Sequence, residues 1–137
     1  MGAATLAVLN GRLRPGSEIV TEAIGLDAAL ANADLVITGE GRIDSQSIRG
    51  KTPVGVARVA QAHGIPVIGL GGSLASDSAV VHQHGIDAVF CAVRRACTIE
   101  EALLEAAFNV RSAARNIAAT IRIGMQIGAT DGKQRNQ

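Results

Sequence analysis

LVITGEGRIDSQSIRGKTPVGVARVAQAHGIPVIGL, residues 35–70, decides the reading of the fold. It opens on a continuous apolar run, Leu35 to Thr38, and closes on a second, Pro66 to Leu70. Runs that are apolar throughout, rather than alternating, belong to strands covered on both faces, as in parallel sheets. Between the two, Thr52 and Pro53 offer a capping hydroxyl followed by a residue whose fixed φ suits a first helical turn. Gly64 supplies the stop. Strand, helix and strand therefore follow one another.

Working outward, DAVFCAV at Asp87 to Val93 reads as a third buried strand, and SDSAVVHQHG before it as a short helix opened by Ser76 and Asp77 and closed by Gly85. Crossovers between parallel strands are almost always right-handed, so the three strands are predicted side by side in sequence order, with the loops after Thr38 and Leu70 on one rim. The fold class is α/β: a parallel-sheet, three-layer segment, flavodoxin-like or Rossmann-like, with a βαβαβ core. Thr98 and Glu101 form a T-x-x-E capping box, and Ile99, Leu103, Ala106, Val110, Ala113, Ile117 and Ile121 recur at helical spacing, which predicts one long carboxy-terminal helix. Upstream, Ser17 and Asp27 open two short helices, and residues 3–10 read as part of another that nothing caps.

A sheet grown in one direction leaves its first strand as a bare apolar edge. Together with the uncapped first helix, this predicts that residues 1–127 are the carboxy-terminal part of a larger domain and that the isolated chain self-associates. Residues 128–137 read as a polar, disordered tail.

Composition narrows the function. Lysine and arginine number 13 against 12 acidic residues, with no Trp or Tyr and two Phe among 137 residues. No broad cationic face and no stacking platform are available, which argues against nucleic-acid binding. Charged residues interrupt every apolar run before it reaches a membrane-spanning length, so a cytoplasmic protein with no membrane association is expected. Cys91 and Cys97 then read as free thiols. His82 and His84, two apart, point too far from one another on a helix to share a metal, and His63 suits the carboxy terminus of its helix.

The densest polar cluster follows the first strand: Glu40, Arg42, Asp44 and Gln46, with Gly39 and Gly41 between them, then Arg49, Gly50, Lys51 and Thr52. Ligands of open α/β sheets bind beyond the carboxyl ends of strands, where this loop emerges. Glu40 and Asp44 carry oxygens for a metal ion or a proton, and Gly50, Lys51 and Thr52 precede a helix whose first amides favour an anion. As a P-loop the stretch is a near miss, since glycine is required where Ser45 stands. Gly69 to Ser73 reads as a glycine-rich turn on the same rim, with Gly72 and Ser73 as further anion donors. The plain alternative is a solvated loop in which Arg42, Arg49 and Lys51 balance Glu40 and Asp44.

At TGEGRIDSQS-x-x-GKTPVGVA the chain resembles the bacterial glycerate kinase family, in particular its enterobacterial members. The family stretch reads TGEGR-[IL]-D-x-Q-[ST]-x-x-GK-x-P-x-GVA, and every fixed position is present. The likeness continues through RPGSEIV, PVIGLGGSL, VVHQHGIDAVF and RNIAATIRIGM. It implies ATP-dependent phosphorylation of D-glycerate, mostly at the 2-hydroxyl, with Mg²⁺ accompanying the nucleotide. On that resemblance Arg42 and Lys51 offset phosphate charge, Glu40 or Asp44 orients metal or hydroxyl with Asp44 the metal candidate, and Gln46 bonds ligand or loop. The family's opening D-S-F-K-G motif and inserted closing domain are absent, so the resemblance implies a missing amino-terminal portion and a chain inactive alone. Arg95, in the variable RRAC stretch, is assigned no role. A stand-alone module that holds a nucleotide or phosphometabolite without chemistry is the competing reading.

Overall fold

The computed structural model describes residues 14–134, with side chains as far as 129. The helix expected over residues 3–10 lies outside them. The chain divides between Phe90 and Cys91 into two compact units.

The first unit holds strands β1 (Val36–Ile43), β2 (Val67–Leu74) and β3 (Ala88–Cys91), which ends at the boundary. They form one parallel sheet in the order β1-β2-β3, as the sequence predicts. Among the described residues β1 pairs with β2 alone, so it is an edge strand.

Both of the first two strands run past the ends of their apolar runs. β1 continues through Gly39 to Ile43, and β2 through the GLGGS stretch read above as a turn, in register from Val36 opposite Val67 to Ile43 opposite Leu74. Close approach is the reason. A Cβ at Gly39 would stand 2.5 Å from the Leu70 carbonyl oxygen, and one at Gly72 2.6 Å from that of Gly41. Such separations exclude any larger residue. Gly69 and Gly71 leave a hollow that Ile43 fills, with its Cδ1 and Cγ1 at 3.3 and 3.2 Å from the places their Cβ atoms would take.

Helices α1 (Gly16–Ala23), α2 (Leu26–Leu30) and α3 (Thr52–Ala62) complete this unit together with a 3₁₀ helix at Ser78–His84. Val54, Ala57 and Ala60 of α3 join Leu30, Val36, Ile43, Val67, Val81 and Ile86 in one buried cluster. Each fully buried branched side chain there contributes about 1.5–3 kcal/mol. α1 meets α3 at Gly55, where a Cβ would fall 2.6 Å from that of Ser17.

In this unit the expected side-chain caps are not used. Lys51 is the N-cap of α3 and Thr52 already lies inside it, with Pro53 following in the first turn, whereas Pro15 and Gly25 occupy the corresponding positions before α1 and α2. Ser17 packs against Gly55, and among the described residues its buried oxygen has no partner. Asp27 turns to His63, 2.8 Å away. Glycine suits the Gly25 position because the backbone there is left-handed, φ 64°. The 3₁₀ helix replaces the α-helix expected at SDSAVVHQHG, with Asp77 before it making no capping bond and Gly85 closing it at φ 89°. His82 is tied to the Ile86 carbonyl oxygen at 2.7 Å.

In the second unit, helix α4 (Ile99–Leu104) carries the predicted capping box, with both Thr98 and Glu101 bonds present. The long carboxy-terminal helix of the sequence reading is present as α5 (Ala106–Gln134), which begins after a break at Glu105 rather than at the Thr98 capping box. Ile99, Leu103 and Leu104 are 75%, 70% and 87% exposed while Ala113 and Ile117 are buried, so the periodic residues do not share one face. α5 runs on to Gln134, since extending an established helix costs little per residue. No helix among the described residues is long and apolar enough to cross a membrane.

Candidate functional site

The far end of β1 delivers Glu40 and Arg42, the turn after it delivers Asp44 to Gly50, and Lys51 caps α3. Asp44 organises the turn locally: its Oδ1 accepts the Gln46 amide at 2.9 Å, the side-chain-to-backbone bond that aspartate favours in turns. Gly50, at φ 88°, then makes the left-handed step into α3.

Around this frame the charges converge. Lys51 Nζ lies 3.4 Å from Asp44 Oδ1 and 3.9 Å from Glu40 Oε2, and Arg42 Nε lies 3.7 Å from Asp44 Oδ2. Both carboxylates are 17% exposed, against 64% for Arg42. The contacts of Asp44 thus occupy both of its oxygens. Glu40 keeps more acceptor capacity, since its second oxygen meets only the longer Lys51 contact. At the start of α3 the first amides have no intrahelical partner, and Pro53 contributes none, leaving those of Thr52 and Val54 at the helix mouth.

Glu40, Arg42, Asp44 and Lys51 are therefore brought together, with the backbone of Gln46 bonded to Asp44 and its side chain exposed. Gly39 and Gly41 lie within β1, and Gly72 and Ser73 within β2, where Ser73 stands opposite Arg42. Thr52 is exposed at the first position of α3.

Two polar residues escaped the sequence reading. Ser47 is fully buried, donates its hydroxyl to Glu40 Oε1 and accepts the Asp44 amide at 3.2 Å. Its place at the Ser/Thr position of the motif quoted above, beside the half-buried Ile48, was its signal. Asp77 reaches the turn from the loop after β2: a hydrogen bond from the Ser45 hydroxyl holds its carboxyl below the ordinary aspartate value, and Arg42 adds to the effect. The shared rim of the two loops was its signal.

Among the described residues no three His, Cys, Asp or Glu side chains are grouped to hold a metal. Two carboxylates directed at one cation, here the Lys51 ammonium, nevertheless match the donors that Mg²⁺ takes from a protein when phosphates and water complete its shell. Of the two, Asp44 is the residue that would hold it. A separate depression of about 270 Å³, lined by Glu18, Thr21, Glu22, Asp27 and Val59, shares no residue with this cluster.

Residues 1–122 match the model of the glycerate kinase family. The chain is 56% identical over 126 residues to the glycerate 2-kinase of Escherichia coli (strain K12), covering 92% of this chain and 33% of that protein. It is 48% identical over 123 residues to the glycerate kinase of Bacillus subtilis (strain 168), covering 90% of this chain and 32% of that one. A crystal structure assigned to glycerate kinase 2 of Salmonella typhimurium LT2 superposes with a TM-score of 0.69 at 54% identity, over 92% of this chain and 32% of that chain. The chain thus spans about a third of the length of these relatives.

Proposed function

This chain belongs to the glycerate kinase family, and we propose that it contributes the phosphate-handling part of an enzyme that transfers a phosphoryl group from ATP to D-glycerate, giving 2-phosphoglycerate in the cytoplasm. The observation that carries this reading is the meeting of Lys51 with Glu40 and Asp44 beside the amino terminus of α3. Phosphoryl transfer asks a protein chiefly for positioning and for charge at the phosphate oxygens. Lys51 and Arg42 supply positive charge on one side of the cluster, and the Thr52 and Val54 amides supply donors at the helix mouth. Glu40, with acceptor capacity to spare, takes the proton of the attacking hydroxyl. Asp44 holds Lys51, Arg42 and the turn in place. Mg²⁺ accompanying the nucleotide would neutralise phosphate charge, with Asp44 as its protein ligand.

Alignment of both substrates in a cleft with little water needs more than one wall. A chain spanning a third of its relatives' length offers one, so the remaining portion is required for turnover. The test is an assay with ATP, Mg²⁺ and D-glycerate, on the chain alone and on the chain mixed with the amino-terminal two thirds of the E. coli relative, with ³¹P NMR to identify the product. Turnover to 2-phosphoglycerate is expected only in the mixture. Turnover by the chain alone removes the requirement, and none in either arm refutes the reading.

A further inference from the structure

We infer that Ser47 is a positioning residue for the phosphoryl transfer, holding Glu40 at the angle from which it meets the substrate hydroxyl. The inference rests on the kinase reading above and adds a residue to it.

Glu40 sits on β1 and Ser47 on the turn seven residues later, with the fully buried Ile43 between them. Ser47 itself is fully buried and uses its hydroxyl in both senses, giving its proton to Glu40 Oε1 and receiving the Asp44 amide. One oxygen atom therefore links the strand carboxylate to the backbone of the residue that carries the other carboxylate. Lys51 also bridges the two side chains, but at 3.9 Å from Glu40 and 38% exposed it is the looser tie. A glutamate has three side-chain torsions, and a broad terminal one leaves its oxygens free to swing unless a donor fixes one of them. With Oε1 held by Ser47, Oε2 is aimed. Burial sharpens the effect, because a hydroxyl removed from water has no solvent molecule to replace it as donor.

The residue touches neither substrate nor nucleotide in this reading, so its removal lowers kcat and leaves nucleotide binding in place. The experiment compares Ser47→Ala, Ser47→Thr and Ser47→Cys with the unsubstituted protein, in whichever form of the assay above turns over. Ser47→Ala is expected to lose about ten- to a hundredfold in kcat, the scale of a reacting group displaced by about 1 Å, with KM for ATP changed less than about threefold. Ser47→Thr, which keeps the hydroxyl, restores kcat to within about threefold of the unsubstituted protein. Ser47→Cys keeps the volume and offers only a weak donor, so it falls with the alanine variant even where alanine fails to fold. The Asp44 amide exchanges its hydrogen faster in the alanine and cysteine variants than in the threonine variant. Equal kcat in all folded variants overturns the positioning role while leaving the kinase reading intact. A fall in kcat matched by loss of ATP affinity, or by failure of threonine to rescue, makes Ser47 a packing residue and likewise overturns it. An unsubstituted protein without turnover refutes the kinase reading itself, and the positioning role falls with it.

Discussion

Two segments of this chain look alike in charge density: Glu40 to Lys51 in the first unit and Arg94 to Glu105 in the second. Folding treats them differently. In the first, Lys51, Glu40 and Asp44 crowd around a fully buried serine, above the fully buried Ile43 and Val54. In the second, Arg95 reaches Glu105 at 3.1 Å and Glu101 at 3.8 Å with all three side chains 41–51% exposed, and Ile99, Leu103 and Leu104 stand in solvent beside them. Arg94 there lies over the ring of Phe108, 4.4 Å from its centre, and bonds Asn109 at 2.9 Å. Exposed pairs of this kind add little, since water screens them and side-chain entropy opposes them. Charge density in a sequence does not reveal that the paired carboxylates of the first segment are 17% exposed and those of the second 41–48%.

The strongest way to break the comparison is through the core under each segment. Ile43→Ala empties a fully buried position and is expected to cost about 2–5 kcal/mol, read from urea unfolding, whereas Leu104→Ala should stay within about 0.5 kcal/mol of the parent. A comparable loss from both would mean that the two segments are supported alike. The charges come next. Lys51→Met should lower kcat/KM about tenfold or more in the turnover-competent form, equivalent to about 1.4 kcal/mol of transition-state stabilisation, and Arg95→Met should leave it unchanged. Unaltered kinetics in the Lys51 variant would return the first segment to the status of a solvated loop.

The smallest effect is set by pH. The carboxyl of Asp77 is held below its ordinary value of 3.8 by the Ser45 hydroxyl, with Arg42 assisting. A lowered folded-state pKa contributes stability that is complete above the unfolded value and is lost as pH falls through the folded one. The thermal midpoint should therefore lose this small contribution only below about pH 4, and Asp77→Asn should remove that part of the acid slope while Arg95→Met does not. An Asp77→Asn variant with an unchanged acid profile would detach the loop after β2 from the first segment.

Much of the architecture was legible because it rests on patterns longer than one residue. The uninterrupted runs at Leu35–Thr38 and Pro66–Leu70, and the handedness of the connections, lead to the sheet order that the structure adopts. Strand ends were not legible. Gly39, Gly41, Gly71 and Gly72 carry no β propensity, and only the contact between β1 and β2 reveals that glycine is what lets the strands run on. The caps expected before α1 and α2 misled for a related reason: Ser17 was drawn into the α1–α3 contact and Asp27 to His63, so tertiary contacts took both side chains from the local helix ends. In the site, Glu40, Arg42, Asp44 and Lys51 were legible as a cluster of charge. Ser47 was present only as the Ser/Thr position of the motif, with nothing to show that its hydroxyl is buried, and Asp77 joins from a different strand's loop.

The α1–α3 contact also has a bearing on how this sequence can drift. At Gly55 there is no room for even a methyl group against Ser17, so that position is closed to every larger side chain unless α1 moves. Its neighbour in space is the opposite case. Among the described residues the Ser17 oxygen is buried without a partner, and a buried hydroxyl that bonds nothing has already lost its water for no return. Alanine at 17 keeps the clearance that Gly55 needs and discards the orphaned oxygen, so tolerance to substitution at this contact is one-sided: frozen on α3 and permissive on α1.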